Sequence, residues 1–423
     1  MQFLKLPVIY LVPAIHRGGG MERAAFEVLD RIRLHRPVVA IGRECTLSGV
    51  RHIPVSTLRR PAILSVAVFR RRARKAARRV RAQSGAGHST GIGASGGPVA
   101  VTVAQYCQEA YRRRVGVVRG RGVLHTWYHR LTLSRFCAEE RAVYRSPELQ
   151  RVIAVSRGVG RELIECYGVD PAIVRYIPNG VDLATFRPLP GGSDAKATLR
   201  GELGLPTDGL LACFVGGDWR RKGLRPAIES LRDATGVRLV VVGAGDPAEF
   251  GAIAAVAGVA NRVHFVGKRP DPHRYLQAAD VYLFPSLYEA FSLSCIEAAA
   301  CGLPLVVTKI NGSEELVEEG VNGFFVEHDA ASVATRLREL RDDASLRERM
   351  AARSAEVGQQ YDWDTIAAAH EAVYAELDQI VDQKLPLSWR LASRLSTGSH
   401  DHPAQRGSAN RRDTCAARGP HVG

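Results

Sequence analysis

Residues 281–308 have the sequence VYLFPSLYEAFSLSCIEAAACGLPLVVT. The stretch begins with an apolar run at 281–284, continues through a turn and an apolar helical segment at 290–301, and ends in a β-branched run at 305–307. Strand, helix and strand in this order are typical of a βαβ unit, in which helices cover both faces of a parallel sheet. The stretch therefore predicts an α/β fold.

The same alternation extends toward the N-terminal side of this stretch. Apolar, β-branched runs at 211–215, 239–242 and 263–266 precede it, and all five runs begin at intervals of 18–28 residues. Helical segments lie between them, notably at 223–232. This pattern is typical of a doubly wound sheet, in which ligands sit at the carboxyl ends of the strands.

The first half of the chain shows the alternation a second time. It begins with an apolar strand at 8–12 and a glycine-rich turn, which are followed by a helix at 22–34. The Gly- and Ser-rich segment 84–97 predicts a flexible insertion. Further strands are predicted at 37–41, 99–104, 122–124 and 152–155, and further helices at 130–145 and 157–167.

The two alternating regions predict two Rossmann-like, doubly wound domains that face a central cleft. We expect an N-terminal domain at 1–178 and a C-terminal domain at 179–384, which meet in a turn-rich connector. The final helix of the second domain is expected to pack back on the first. Ser, Gly, His, Arg and Pro dominate at 385–423, which predicts a disordered tail.

The composition excludes several classes of protein. A chain with 46% hydrophobic and 24% charged residues is typical of soluble globular proteins, not of disordered, collagen-like or coiled-coil ones. No stretch approaches the ~20 consecutive apolar residues that span a bilayer, and the first twelve residues lack the features of a signal peptide. The eight cysteines are dispersed without a C-x-x-C pair, so we expect a reducing, cytoplasmic setting.

Positive charge is concentrated in the first half of the chain. Residues 1–178 contain 31 Lys and Arg against 11 Asp and Glu, whereas 179–384 contain 21 against 30. A basic amphipathic helix is predicted at 61–82, because apolar residues recur there at three and four positions among arginines. Such a helix either packs on its own sheet with solvated arginines or lies on an anionic membrane, at the inner face of the plasma membrane. No nucleic-acid-binding motif is present, so nucleic acid is not expected as a partner.

Three segments suit an anionic ligand. The glycines at 18–20 stand between a strand and a helix, where backbone amides and the helix dipole face an anion. The sequence GGDWRRKG at 216–223 places three consecutive cations after a strand, which suits a diphosphate. Each segment also has an ordinary structural explanation, as a tight turn or a solvated basic turn.

The third segment contains Glu289 and Glu297, eight residues apart. Glu289 lies at a strand-to-helix turn, and Glu297 lies inside an apolar helix, where a carboxylate is costly unless it is hydrogen-bonded. Ribose hydroxyls are suitable donors to it, and the amides at the start of this helix could hold an anion. Two surface carboxylates with this spacing are the structural alternative.

The run from Glu289 to Glu297, with AAACGLPLVVT after it, resembles the E-x7-E signature of the family 4 retaining glycosyltransferases, which have the GT-B fold. The resemblance covers nearly the whole of residues 8–380, and GDWRRKG at 217–223 is also similar to lipopolysaccharide-core glucosyltransferases. Other segments agree with the family in order and spacing: 18–22, VIAVS at 152–156, IPNGVD at 177–182, KG at 222–223, GAG at 243–245, VHFVGK at 263–268, ADV at 279–281 and the segment from 311 to VNGF at 321–324.

The resemblance implies how the donor diphosphate is bound. Lys222 neutralises it, with Arg220 or Arg221 as a helper. The family commonly has an arginine where this chain has Gly217, so which of the two arginines substitutes is open.

The resemblance also assigns the E-x7-E segment. Glu297 binds the ribose of the nucleotide, and Glu289 binds the hydroxyls of the transferred sugar. The backbone amides of Phe291, Ser292 and Leu293 hold the distal phosphate.

Further roles are implied outside that segment. Gly19 and Gly20 close the cleft from the first domain, and His125, expected at a strand end, matches the active-site histidine that faces the sugar. Lys268 and Arg269 lie where the nucleotide base is recognised.

As a whole, the resemblance implies a retaining transferase that uses a nucleotide-sugar and needs no cofactor or metal. The basic first domain fits a glycan or lipid-linked acceptor, such as a cell-envelope glycolipid or polysaccharide. Two alternatives stay open. One is a sugar-nucleotide epimerase or a glycoside phosphorylase on the same scaffold, and the other is a non-catalytic nucleotide-sugar binder or membrane-surface protein.

Overall fold

The computed structural model describes residues 5–57, 62–84, 86–93, 96–116 and 122–384. Strands and helices alternate through the described chain. The strands are β1 (Val8–Leu11), β2 (Ala14–Ile15), β3 (Val38–Gly42), β4 (Glu44–Cys45), β5 (Arg51–Pro54), β6 (His88–Ile92), β7 (Val101–Ala104), β8 (Arg151–Ala154), β9 (Val174–Tyr176), β10 (Leu210–Val215), β11 (Val237–Val242), β12 (Val263–Gly267), β13 (Val281–Phe284), β14 (Leu305–Thr308) and β15 (Gly323–Val326). The helices are α1 (Gly20–Ile32), α2 (Ala62–Ser84), α3 (Gln108–Arg114), α4 (Val123–Tyr144), α5 (Arg157–Tyr167), α6 (Gly192–Glu202), α7 (Leu224–Ser230), α8 (Pro247–Val256), α9 (Pro272–Ala278), α10 (Leu293–Ala300), α11 (Ser313–Leu316), α12 (Ala330–Asp342), α13 (Ala344–Gln359) and α14 (Trp363–Lys384).

Two parallel sheets carry the architecture. The first has the strand order β5-β3-β1-β6-β7-β8-β9, and the second has the order β12-β11-β10-β13-β14-β15. All strand pairs in both sheets are parallel. Helices cover the strands, so runs such as β13 are buried along their whole length. The predicted doubly wound α/β fold is confirmed, and we call the parts built on the two sheets the first and the second domain.

Each sheet has a point at which the strand order reverses. In the first sheet the chain moves outward from β1 to β5 and returns to β6 on the other side of β1. In the second sheet it moves from β10 to β12 and returns to β13 on the other side of β10. Ligands of doubly wound sheets bind in the crevice outside the carboxyl ends of the strands at such a point. The segments after β1, β10 and β13 are therefore in the expected place for a site.

The prediction of a flexible insertion at 84–97 is wrong, because β6 lies there in the middle of the first sheet. Its short polar side chains are buried and hydrogen-bonded: Ser89 Oγ accepts from the Ala100 amide, and Thr90 Oγ1 lies 3.0 Å from the Tyr374 hydroxyl. A Cβ on Gly91 would lie 3.1 Å from the Gly96 backbone. Small residues therefore serve close packing here, although their composition is that of a linker. Residues 85, 94 and 95 lie outside the described part.

Other local predictions also differ from the structure. The strand predicted at 122–124 is wrong, because α4 begins at Val123, directly after Gly122 with φ 90°. A three-residue apolar run does not distinguish a strand from the first turn of a helix. Strands β2, β4, β5, β9 and β15 were not predicted, and the tail at 385–423 lies outside the described residues.

The basic helix predicted at 61–82 is present as α2. Its apolar stripe, which includes Phe69, Ala73 and Val80, packs on Ile9 and Ile41 of the first sheet. Its arginines lie on the other side. No described helix combines the length and the apolar character that crossing a bilayer requires.

Helix α14 contacts the first domain, although it follows the second in sequence. Arg36 donates two hydrogen bonds to the Glu371 carboxylate, at 2.7 and 2.9 Å, and Arg175 donates one to Glu376 at 2.8 Å. Residues 5–377 form one compact unit, and of the remaining chain the structure describes only 378–384.

Candidate active site

A cleft of about 520 Å³ lies where the carboxyl ends of the two sheets meet. The first domain contributes the glycine turn with the start of α1 and the end of β7, and the second contributes the segments after β10 and β13. The cleft is lined by residues 17–23, 105–106, 179, 215–216, 221–222, 272, 289–294 and 297. Most of the residues predicted for the donor are thus brought together.

The turn after β10 has a conformation that only a few residues allow. Asp218 has φ 50°, the only positive φ of a non-glycine residue in the described chain, and its carboxylate accepts a hydrogen bond from Arg221 Nε at 2.8 Å. Gly223 has φ 81°, and a Cβ there would lie 2.0 Å from the carbonyl oxygen of Pro285. The glycine therefore lets this turn approach the segment after β13, which brings Lys222 beside Glu289.

Glu289 holds two cations in the wall of the cleft. Its Oε1 accepts a hydrogen bond from Arg221 at 2.8 Å and lies 3.2 Å from Lys222 Nζ. The side chains of all three residues are only 15% exposed, so water screens their charges weakly. Burial opposes the charge of Arg221, but the carboxylates of Glu289 and Asp218 outweigh it, and the pKa of Arg221 is raised. The arrangement is a fixed pair of cations that an anion can approach.

Arg220 points away from the cleft. Its guanidinium donates to Glu249 at 2.8 Å, and its side chain is 53% exposed. Trp219, which precedes both arginines, is buried with its indole against Gly245, where a Cβ would lie 2.1 Å from the ring. The two arginines leave the turn in different directions, Arg220 toward Glu249 and Arg221 toward Asp218 and Glu289. Of the two arginines that the sequence left open, the structure brings Arg221 to the cleft.

Glu297 is buried in α10 and is bound from the opposite domain. Arg23, in the first turns of α1, donates to its Oε1 across the cleft. Burial lowers the pKa of Arg23, but the carboxylates of Glu297, Glu27 and Asp182 outweigh this effect, so the pKa is raised. Arg23 was not predicted from the sequence. A signal was present, since the arginine follows the glycine turn by one helical turn.

Two helix N-termini open into the cleft. Helix α1 begins after Gly19 and α10 begins after Ser292, and in neither does a side chain bond to the first backbone amides. A Cβ on Gly20 would lie 3.9 Å from the side chain of Leu293, so the two helix starts face each other closely. Free amides and the positive end of the helix dipole make such a position suitable for an anion. The amides from Phe291 to Leu293 are at the predicted place.

Three further predicted residues remain, of which Lys268 and Arg269 are not brought into the cleft. Lys268 follows the end of β12 and is not among the residues that line the cleft, and the same holds for Arg269, whose guanidinium lies 5.8 Å from the Tyr275 ring. His125 lies in the first turn of α4 and not at a strand end, and its side chain is outside the described part of the structure.

An amide pair that lines the cleft was also not predicted from the sequence. Gln105 and Asn179 exchange two hydrogen bonds, at 2.7 and 3.1 Å, and Asn179 also donates to the carbonyl oxygen of Phe291 at 3.2 Å. The pair ties the end of β7 to the helix start that faces the cleft. The signal available in the sequence was the position of Asn179 in the IPNGVD connector.

Comparison with known proteins agrees with this geometry. Residues 195–357 match the family model of the glycosyl transferases group 1, and residues 18–185 match that of glycosyltransferase family 4. The chain belongs to the family 4 glycosyltransferases. The two matches together cover both domains and more than half of the chain.

A D-inositol 3-phosphate glycosyltransferase of Xylanimonas cellulosilytica is 37% identical over 254 residues, which cover 57% of this chain and 60% of that protein. The chain spans between half and three-fifths of the length of the curated relatives it matches. Among solved structures, WaaG, a glycosyltransferase involved in lipopolysaccharide biosynthesis, has a TM-score of 0.71 at 20% identity, covering 86% of this chain and 98% of that one. Anabaena HepE in complex with UDP and glucose has a TM-score of 0.66 at 19% identity, covering 88% and 100%. At this identity the similarity concerns the fold alone, and it confirms GT-B.

Proposed function

We propose that this glycosyltransferase moves a sugar from a nucleotide-sugar donor to an acceptor and retains the anomeric configuration. The observation that carries the proposal is the pair of cations, Arg221 and Lys222, which Glu289 fixes opposite two helix N-termini. A nucleoside diphosphate is the leaving group that such a site fits. Cations and amides that point at a charge developing in the transition state stabilise it more than they stabilise the substrate.

Each residue of the cleft then has a task. Lys222 and Arg221 neutralise the leaving diphosphate, and the amides of Phe291, Ser292 and Leu293 hold its distal phosphate. Both cations lie on Oε1 of Glu289, which leaves Oε2 for hydroxyls of the transferred sugar.

Glu297 binds the ribose hydroxyls, next to the hydrogen bond that its Oε1 accepts from Arg23. Gly19 and Gly20 close the cleft from the first domain, and His125 keeps the role at the transferred sugar that the family resemblance implies. A donor phosphate oxygen accepts the proton of the acceptor hydroxyl as that hydroxyl attacks from the face that the diphosphate leaves. No metal takes part.

The reaction is tested with the full chain, a panel of nucleotide-sugars and a mixture of acceptors, in buffer with excess chelator. NMR of the product gives the anomeric configuration. A product with the configuration of the donor supports the proposal, and inversion contradicts it. A changed sugar on the nucleotide would identify an epimerase, phosphate-dependent release would identify a phosphorylase, and binding without turnover would identify a non-catalytic binder.

The acceptor is proposed to be anionic. The first domain carries most of the positive charge of the chain, and negatively charged ligands are attracted to such surfaces. A cell-envelope glycolipid or polysaccharide fits this charge, and the relatives are named for an inositol phosphate acceptor. Competition between D-inositol 3-phosphate and an anionic lipid-linked glycan decides between them, since only the true acceptor suppresses transfer to the other at micromolar concentration.

We also propose that α2 meets an anionic membrane at the cytoplasmic face. Its residues Arg71, Arg74, Lys75, Arg78 and Arg79, here called the α2 face, have no carboxylate partner among the described residues. With Arg135 and Glu139 of α4 they line a groove of about 740 Å³.

Exposed apolar side chains accompany this charge. They are Leu64 on α2, and Trp127 and Leu131 on α4. Basic residues combined with exposed apolar ones are typical of helices that bind at a membrane interface. Co-sedimentation with vesicles that contain 30% phosphatidylserine, against neutral vesicles, is the test. Equal sedimentation with both would contradict the proposal.

A further inference from the structure

Tyr288 extends from the second domain into the first. The residue follows β13, yet its side chain is fully buried. Its hydroxyl donates to Glu162 Oε2, on α5, at 2.7 Å. Its ring meets the rings of Tyr106 and Tyr111 edge-on, with centroids 5.1 and 5.7 Å away. A phenol of one domain is thus seated in a pocket of the other.

Glu162 binds a second segment of the second domain as well. Its Oε1 accepts a hydrogen bond from Asn311, between β14 and α11, at 2.7 Å, and lies 3.4 Å from the guanidinium of Arg114. Burial raises the pKa of Glu162, although the hydrogen bonds from Tyr288 and Asn311 oppose this. A carboxylate buried at such cost is retained only where its hydrogen bonds are made. One side chain of the first domain therefore holds two loops of the second.

We propose that Glu162 and Tyr288 are positioning residues for the transfer reaction, an inference that rests on the function proposed above. Tyr288 directly precedes Glu289, and Arg221 donates to both the Tyr288 carbonyl oxygen and the Glu289 carboxylate. The position of the Tyr288 side chain in the first domain therefore sets the position of Glu289 and of the cations that Glu289 binds. It also fixes the distance between the domains across the cleft. Displacement of a catalytic group by about 1 Å can cost roughly 100-fold in rate.

A matched control exists within the first domain. The Tyr167 hydroxyl donates to Glu140 Oε2 at 2.7 Å, and both side chains are buried. This bond joins α4 and α5, so it repeats the chemistry of the Tyr288–Glu162 bond without crossing between the domains. Tyr167→Phe and Tyr288→Phe each remove one such hydroxyl.

The first measurement is the steady-state rate of transfer by the full chain. Tyr288→Phe is expected to lower kcat at saturating donor by roughly 10- to 100-fold. Glu162→Gln keeps the shape of the side chain but loses one acceptor oxygen, so it is expected to lower kcat as well, by less than Tyr288→Phe does. Tyr167→Phe is expected to lower the melting temperature as much as Tyr288→Phe does, yet to keep kcat within about twofold. Equal kcat in the two Phe variants would overturn the proposal.

The second measurement does not depend on activity. Spin labels on non-natural residues at Ser134 on α4 and Val256 on α8, both exposed, report the distance between the domains. Tyr288→Phe is expected to broaden the distance distribution, whereas Tyr167→Phe leaves it as in the wild type. Unchanged distributions in both Tyr288→Phe and Glu162→Gln would overturn the proposal. Absence of transfer by the wild type would instead refute the proposed function, and the distances would still decide whether Tyr288 sets the cleft.

Discussion

The cleft and the α2 face are both rich in positive charge, but they hold it in different ways. In the cleft, Arg221 and Lys222 share the Glu289 carboxylate and are largely buried. On the α2 face, arginines such as Arg78 and Arg79 are exposed, and no described carboxylate pairs with them. Cations fixed out of water act strongly at one point, whereas solvated cations act weakly over a large surface and are screened by salt. The carboxylate that fixes the cations, and not the density of charge, marks the candidate active site.

The largest expected effect separates two neighbouring cations of the cleft turn. Lys222→Ala is expected to lower kcat of transfer by roughly 100- to 1000-fold, as loss of one fixed donor to a developing negative charge does. Arg220→Ala serves as the control, because Arg220 is exposed and pairs with Glu249 outside the cleft. Steady-state rates at saturating donor measure both. A comparable loss in the two variants would mean that charge density in the turn, and not its fixed geometry, drives the reaction.

Two carboxyl groups differ in the same way. Glu289 binds two charged side chains, whereas Glu140 accepts hydrogen bonds from the neutral Tyr167 hydroxyl and Gln108 amide. Burial raises the pKa of Glu140 to about 7, and the bonds from the Tyr167 hydroxyl and the Gln108 amide offset this only in part. A raised pKa in the folded state means that the group's contribution to stability is complete below about pH 4.5 and is lost as the pH rises through about 7.

Between pH 4.5 and 8 this group is expected to remove roughly 2–3 kcal/mol from the free energy of unfolding. Glu140→Gln, which keeps an acceptor for both donors, is expected to abolish that loss. Denaturant unfolding at a series of pH values measures it. Parallel pH profiles of wild type and variant would show that Glu140 is ionised in the folded protein without penalty.

On the α2 face, reversal of charge is expected to affect binding and not chemistry. The double variant Arg78→Glu, Arg79→Glu is expected to weaken binding to anionic vesicles by about 2 kcal/mol or more, at about 1 kcal/mol per basic residue. Transfer to a water-soluble acceptor should stay unchanged. Arg338→Glu with Arg349→Glu, on exposed helices of the second domain, makes the same change in net charge and serves as the control. Equal loss of vesicle binding in both pairs would mean that only net charge matters.

The smallest expected effect concerns Glu297. Glu297→Gln keeps the size of the side chain but loses the charge that binds Arg23 and, in the proposed complex, the ribose. Donor affinity is expected to fall about tenfold, the usual value of one charged hydrogen bond, with little change in kcat. Titration calorimetry with the donor, next to Glu249→Gln as control, measures it. A fall in kcat at unchanged affinity would assign Glu297 to the transition state.

The sequence predicted the second domain better than the first, for physical reasons. Runs such as LLACFV at 210–215 are β-branched and apolar because both faces of a parallel strand are buried. The strand HSTGI at 88–92 has no such pattern, because its burial depends on a hydrogen bond from the Ala100 amide, on one between Thr90 and Tyr374, and on the close approach of Gly96. The contact with Tyr374 comes from a distant part of the chain, and none of the three contacts leaves a local period in the sequence.

Site residues could be predicted from the sequence where their distance from a predicted strand end indicates their position. Glu289, Glu297 and Lys222 could be named because each follows a strand that ends at one edge of the sheet. The choice between Arg220 and Arg221 depends on the carboxylates that each one meets, Glu249 or the pair Asp218 and Glu289, which a run of cations does not reveal. Arg23 was missed because its partner lies 274 positions away.

The central claim is that the fixed cations of the cleft, and not the α2 face, bind the donor. Thermal unfolding of the wild type with UDP-, GDP-, ADP- and dTDP-sugars tests it most directly, next to Lys222→Ala and the Arg78→Glu, Arg79→Glu pair. A ligand at 100 times its Kd adds about 2.7 kcal/mol to stability. One donor is expected to raise the melting temperature of the wild type and of the Arg78→Glu, Arg79→Glu variant, but not that of Lys222→Ala. A donor that stabilises Lys222→Ala as much as the wild type, or only proteins with an intact α2 face, would contradict it.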